Sequence, residues 1–468
     1  MSQVNNRKEN TSFIRDRKTG EKPAVRRVVI ESFGALKKVD VCLDKKLLTV
    51  IGPQAAGKST FGKVVYFCRK IRDYLSDYAR EIWNNGTEIE PFFGFLKYLR
   101  NPFIGCFGTT KHMDPFVIRY YYDTNRDLYV KITLDESHFA RFFFSSGLRN
   151  DIEELINGAV AFVENNQFIS FEDAVIKQSA FYSQFKNETK RIFKDDETLL
   201  YIPAGRNLLA TIPDLIMPDL VYKKGNTHNV DITQIDLITQ DFIHYIQRMR
   251  IRFGSRLEEM TENYLKTVKG QIRNHDVELA CELIRSILKA DYVYDKDGEK
   301  LYYSKEKWVK LMFGSSGQQE VLWALNCIFL SVLQNEKTFL VFEEPEAHIF
   351  PDAQELLSRL IVLLINSNGS NVLLTTHSPY ILTSINLLVL SGLAEKEGNN
   401  GIIPRQCRLR KDVIAAFMIP ENKGEFVDIV DKEEGLIDAL EIDHISDSIN
   451  EKIDQLLRIM TERKKGDH

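Results

Sequence analysis

The residues Gly52-Pro-Gln-Ala-Ala-Gly-Lys-Ser59 constrain this chain more than any other stretch. They fit G-x-x-x-x-G-K-[ST], a loop that works only between a buried strand and a helix. Both flanks are legible. Leu47-Leu48-Thr49-Val50-Ile51 reads as the strand, and Thr60 to Arg80 as the helix. Gly52 and Gly57 allow a tight turn that points backbone N–H groups at phosphate oxygens. The helix N-terminus adds partial positive charge, Lys58 reaches the β- and γ-phosphates, and Ser59 can ligate Mg²⁺. Gly52, Pro53, Gln54, Ala55, Ala56, Gly57, Lys58, Ser59 and Thr60 are therefore the expected cradle of a nucleoside triphosphate, read as ATP with Mg²⁺.

The second signal is Thr338-Phe-Leu-Val-Phe-Glu-Glu-Pro-Glu346, a hydrophobic strand ending in paired carboxylates, the Walker B arrangement. Glu343 is expected to hold the metal's hydration shell and Glu344 to polarise the attacking water. Neighbouring strand residues point to opposite faces, but the chain turns at the strand's end, so both can approach the nucleotide. The third signal is Phe313-Gly-Ser-Ser-Gly-Gln-Gln319, a Ser-x-Gly-Gln sequence at a helix N-terminus. Ser315, Ser316, Gly317 and Gln318 would offer a hydroxyl and backbone N–H groups to a γ-phosphate. Such Ser/Gly turns also serve as ordinary helix caps. The fourth is Leu374-Thr-Thr-His-Ser-Pro-Tyr380, which delivers His377 just beyond a strand, where it can sense the γ-phosphate. The expected catalytic residues are Lys58, Glu344 and His377; the expected metal ligands are Ser59 and Glu343.

Size and composition leave room for this machinery. With 468 residues, 44 % hydrophobic and 27 % charged, the chain can bury a large core in two or three lobes. No apolar run is long enough to span a bilayer and the polar N-terminus does not read as a signal peptide, so a cytoplasmic protein is expected. Cys42, Cys68, Cys106, Cys281, Cys327 and Cys407 lack C-x-x-C spacing and read as free thiols. A net charge of −4 gives no global pull toward nucleic acid.

Along the chain, residues 1–24 read as a flexible basic tail, with a nucleic-acid-binding arm as the alternative. Residues 25–230 read as an N-terminal ATPase lobe with an antiparallel β-subdomain over 116–144. Residues 231–290 read as a helical insertion too short for a long coiled-coil arm. The segment 291–400 carries the last three motifs, and 401–468 reads as a C-terminal α/β extension. The fold class is thus α/β, with strand–helix alternation implying a mostly parallel, covered sheet.

Together the motifs resemble the ABC-type ATPases of the SMC, RecF and OLD (overcoming lysogenisation defect) group. Glu343-Glu-Pro-Glu-Ala-His348 with Thr376-His-Ser-Pro379 is similar to the OLD-like, defence-associated AAA family ATPases, such as those of Septu, PARIS and Gabija systems. The resemblance covers residues 25–60 and 310–385; Gly314 stands where transporters usually carry Leu. It implies an ABC-type P-loop ATPase head that dimerises, or forms a higher homo-oligomer. Each ATP would lie between one subunit's Gly52–Thr60 and the other's Ser315–Gln318. It also implies a Q-loop glutamine, for which Gln178 and Gln184 are candidates, and it places His348 at the start of a D-loop; a surface role for His348 is the alternative. Arg206, in Tyr201-Ile-Pro-Ala-Gly-Arg206, sits where related ATPases carry a similar motif, with its role open.

OLD and Gabija ATPases carry a Toprim nuclease domain built on an acidic cluster. The 91 residues after His377 contain no Asp-x-Asp, and Asp438, Glu441 and Asp443 read as a solvated face. The expectation is an ATPase that regulates a separate effector, a nuclease, in antiphage defence. The alternatives are a RecF- or SMC-like DNA repair or maintenance ATPase that binds DNA, an OLD-like nuclease, and a transporter subunit.

Overall fold

The computed structural model describes residues 25–86, 90–165, 171–206, 235–267, 274–394, 401–421 and 423–438. The basic tail and the acidic residues Glu441 and Asp443 lie outside them.

Three strands open the chain: β1 (Arg27–Phe33), β2 (Leu36–Cys42) and β3 (Leu47–Ile51). The meander expected over 116–144 forms as β4 (Val117–Asp123), β5 (Leu128–Leu134) and β6 (Ala140–Phe144). These join β1 and β2 in an antiparallel sheet of order β2-β1-β4-β5-β6. Then follow β7 (Thr198–Ile202), the hairpin β8 (Asp291–Asp295) and β9 (Gly298–Tyr302), and a short β10 (Trp308–Lys310) beside it. The last strands are β11 (Thr338–Glu343), β12 (Asn371–Thr376), β13 (Ile414–Met418) and β14 (Val427–Asp428).

The second large sheet has the order β14-β13-β3-β12-β11-β7, and its ladders from β13 to β7 are all parallel. Strands buried on both faces should read as continuous apolar runs, and β3 and β11 do. Their side chains split with a period of two. Leu48, Val50, Phe339 and Val341 enter one core with the antiparallel sheet. Leu47, Ile51, Leu340 and Phe342 enter the other, with the helices Asn274–Leu288, Ser316–Leu333 and Pro351–Asn368.

The helix Lys58–Asn85 lies in the first core, among residues of both sheets, which is why Phe61, Val64, Val65, Phe67 and Cys68 are buried. Arg69 fixes it to the approach to β7: its guanidinium donates to Asp195 at 2.7 Å and to Glu197 at 2.6 Å. The helical insertion is compact, as expected, but it does not stand apart. Phe242, Ile246, Val277 and Ile284 belong to the same core as Leu340 and Phe342. The C-terminal extension departs more from expectation, because β13 lies inside the parallel sheet beside the P-loop strand. All six cysteines are free, and five are buried.

Candidate active site

The loop Gly52–Gly57 follows β3, and the helix that starts at Lys58 carries neither a side-chain cap nor an acidic residue in its first turn. Its first N–H groups and dipole therefore favour an anion. The loop is tightly walled. A Cβ on Gly52 would come 2.7 Å from the Ile419 carbonyl oxygen just past β13, so only glycine permits this approach. Ala55 takes a positive φ of 62°, while Ser59 is exposed at the start of the helix. Lys58 Nζ donates to the Gly52 carbonyl at 2.8 Å and to the Pro53 carbonyl at 2.9 Å. Burial lowers the Lys58 pKa from its ordinary value, while Glu344, Glu346 and Glu343 pull it up.

Parallel strands deliver the other groups to the same end of the sheet. Glu343, the last residue of β11, is buried; one carboxylate oxygen accepts from Tyr201 Oη at 2.6 Å and the other from the Ala204 N–H at 3.1 Å. Glu344 is half-exposed in a left-handed conformation (φ 42°), and its N–H donates to the Thr375 carbonyl of β12 at 2.8 Å. A non-glycine residue held there carries a cost of ~1–3 kcal/mol, so the surroundings must enforce it.

His377 lies between the two motifs. Its Nδ1 is 3.5 Å from Lys58 Nζ, and its Nε2 is 3.8 Å from a Glu344 carboxylate oxygen. Its backbone N–H donates to Glu346 at 2.6 Å. Burial, then the Lys58 charge, hold its pKa below the usual imidazole value against the pull of Glu344 and Glu346.

The Ser315–Gln318 segment forms a capping box at the start of its helix. Ser315 Oγ accepts from the Gln318 N–H at 3.3 Å, and Gln318 Oε1 accepts from the Ser315 N–H at 3.0 Å. Gln318 also donates to the Leu288 carbonyl at 2.8 Å, which ties this turn to the helical insertion. Ser315 and Ser316 are exposed. A Cβ on Gly317 would come 2.5 Å from the His348 carbonyl oxygen, so the turn after β11 and the start of this helix touch through backbone. His348 is exposed with a positive φ of 60°.

Two candidates fall elsewhere. Gln178 and Gln184 lie on the helix Phe171–Ile192, which runs beside the helix leaving the loop. That helix meets it at Ser76 with Thr189 and at Trp83 with Phe181, the nearer point being roughly 27 Å along an α-helix from Lys58. Gln178 instead donates to Tyr182 at 3.4 Å. Neither glutamine is brought to the loop. Conversely, Tyr201, Glu346 and Glu320 were given no role by motif reading. Tyr201 and Glu346 stand inside the quoted motifs, which was a signal; Glu320 offers none, because its partner Arg206 is 114 positions away.

The donor set suits a magnesium nucleotide: a cradle of N–H groups, one cation, one exposed hydroxyl and a carboxylate at the strand end. Mg²⁺ draws most of its ligands from water and phosphate, so a protein cage is not required. Among the described residues no group of three or more His, Cys, Asp or Glu is placed to form one. Nor does any described helix have the length and apolarity to cross a membrane.

Residues 223–382 match the family model for an AAA ATPase domain, a span that includes Ser315–Gln318, Glu343, Glu344 and His377 but not Gly52–Thr60. No curated protein matches the chain. Among solved structures, it is similar to an Smc head bound to the C-terminal winged-helix domain of ScpA, at 11 % identity and TM-score 0.38, covering 77 % of this chain and 92 % of that one. The SMC head domain from Thermotoga maritima aligns at 9 % identity and TM-score 0.32, with the same coverage of 77 % and 92 %. An Smc head with an extended coiled coil, bound to the C-terminal domain of ScpA derived from Pyrococcus furiosus, aligns at 10 % identity and TM-score 0.37, covering 87 % and 96 %. Over residues 223–382, then, the chain is similar to AAA ATPase domains.

Proposed function

We propose that this chain is a cytoplasmic ABC-type ATPase whose site is completed by a second copy, and that it serves as sensor or regulatory subunit of an antiphage system with a separate nuclease effector. The observation that carries the ATPase reading is the convergence of Lys58, Glu344 and His377 beyond the carboxyl ends of three adjacent parallel strands. In α/β sheets that edge is where ligands bind. In this reading Ser59 and Glu343 would hold Mg²⁺, which would supply charge neutralisation for the phosphates. Glu344 orients the attacking water and takes its proton. His377, between Lys58 and Glu344, contacts the γ-phosphate and reports its loss. Ser315–Gln318 from the second copy closes the site. The defence role is supported by the resemblance of the Glu343–His348 and Thr376–Pro379 segments.

The test is direct. Purified protein should hydrolyse ATP with Mg²⁺, and Lys58→Ala should abolish nucleotide binding and turnover together. Hydrolysis unaffected by Lys58→Ala would sink the assignment. Expressed with its genomic neighbours, the wild type should protect cells from phage and Lys58→Ala should not; equal plating would remove the defence role and leave the ATPase standing. Hydrolysis stimulated by DNA with a steep salt dependence would instead favour a DNA-maintenance ATPase.

A further inference from the structure

The guanidinium of Arg206 is buried behind the site, and its two Nη groups grip three carbonyls. Nη1 donates to the Pro203 and Glu343 carbonyls, both at 2.7 Å, and Nη2 donates to the Glu344 carbonyl at 3.1 Å. The Glu343 and Glu344 carbonyls belong to the peptide units on either side of the Glu344 Cα. Holding both, with the Glu344 N–H on Thr375, fixes φ and ψ at this residue and therefore the direction of its Cα–Cβ bond. A planar fork is suited to this, whereas a lysine ammonium can reach such acceptors only as a single point.

The same side chain reaches the helix Ser316–Leu333. Nη2 lies 3.2 Å from a Glu320 carboxylate oxygen, Nε donates to the Glu320 carbonyl at 3.2 Å, and the Arg206 N–H donates to the Glu320 carboxylate at 3.1 Å. Both side chains are fully buried. An ion pair so placed is weak evidence for stability, because desolvation offsets much of its attraction. Its geometry is the informative part. Glu320 sits two residues after Gln318, in the turn that presents Ser315–Gln318.

We infer that Arg206 and Glu320 are positioning residues: they aim the Glu344 carboxylate and join it to the turn Ser315–Gln318. This rests on the ATPase reading above. In a two-copy assembly that turn contacts the other copy's nucleotide, so the brace links one subunit's γ-phosphate contact to the hydrolytic carboxylate of its own site. The two ATP sites are then coupled through each subunit's interior.

Two variants test this in the full-length protein. Arg206→Lys keeps the charge facing Glu320 and loses the fork. The double variant Arg206→Met/Glu320→Met replaces the pair by apolar side chains and leaves no buried charge unpaired. Each should bind a fluorescent ATP analogue as the wild type does, while kcat falls roughly 10- to 100-fold, the range expected for a misaimed catalytic group. The wild-type rate should depend sigmoidally on ATP concentration, and that of each variant hyperbolically. A wild-type kcat in either variant overturns the inference. So does a parallel loss of ATP affinity and melting temperature in both, which would make Arg206 a scaffold residue only. Failure of the wild type to hydrolyse ATP would instead overturn the ATPase reading.

Discussion

At Glu344 two requirements meet. For the proposed hydrolysis the carboxylate has to face a water next to the nucleotide, yet the residue follows a strand in which alternate side chains point away from each other. The positive φ of 42° resolves this by turning the chain at once, so that Glu343 stays buried against Tyr201 while Glu344 stands half-exposed beside His377. The roles therefore separate. Glu344→Gln keeps the shape and removes the base; it should bind ATP as the wild type does, hydrolyse it at least about 100-fold more slowly, and accumulate as an ATP-held dimer. Undiminished turnover in that variant would mean that another carboxylate takes the proton.

His377 makes a prediction with a sign. Its folded pKa is lowered, so the unfolded chain takes up a proton there first as the pH falls. The stability that goes with neutral His377 is complete above the unfolded value of ~6.5 and is lost as pH falls through the lower folded value. The wild type should lose melting temperature relative to His377→Gln across that acidic window, and the two curves should run parallel above it. Residue identities at Lys58, Glu343, Glu344 and His377 were legible because each stands at a fixed offset from a strand end. The pair Arg206 and Glu320 was not, since no local spacing relates residues so far apart in sequence.

Between elements, one close approach lies where the Ser316–Leu333 helix begins against the turn after β11. Gly317→Ala would press a methyl group against the His348 carbonyl at 2.5 Å, an obstruction of backbone that no rotamer relieves. The expected outcome is a loss of about 1–3 kcal/mol in chemical denaturation, with a larger effect on hydrolysis because one side of that contact is the turn proposed to close the other copy's site. Most strands were readable: β3, β11 and β12 as apolar runs, and β4 to β6 from alternation and a turn at Asp123–Arg126. Strand β13 was not. Ile414-Ala-Ala-Phe-Met418 is short and rich in alanine, a weak strand former, and its place in the sheet comes from pairing with residues more than 360 positions earlier. The glutamine candidates failed for a related reason. Helical periodicity identifies the helix that carries them but not the end at which it meets the loop's own helix.

At the scale of the molecule, the exposed turn Ser315–Ser316 is flanked by apolar side chains. Phe313 is 72 % exposed and Phe350 74 %, and Met312 is also exposed. A Cβ on Gly317 would come 3.6 Å from Ile349, so the start of this helix and the turn before Phe350 adjoin. This is the face on which the proposed second copy would close. Phe350→Glu should leave the monomer's unfolding free energy within about 0.5 kcal/mol of the wild type, as surface changes do, yet abolish ATP-dependent dimerisation in light scattering. Dimerisation at the wild-type level would place the contact elsewhere.

The contact between Gly52 and Ile419 has a consequence for how the protein comes into being. The P-loop is translated well before one of its walls, β13 and the residue after it, with the Ile419 N–H bonded to the Ile51 carbonyl at 2.9 Å. A ribosome adds roughly 5–20 residues per second, so tens of seconds separate the synthesis of the loop from that of its wall. A nascent chain arrested in between carries the phosphate-binding sequence without the strand that walls it. Under the proposed function, nucleotide capture then waits until β13 has been made.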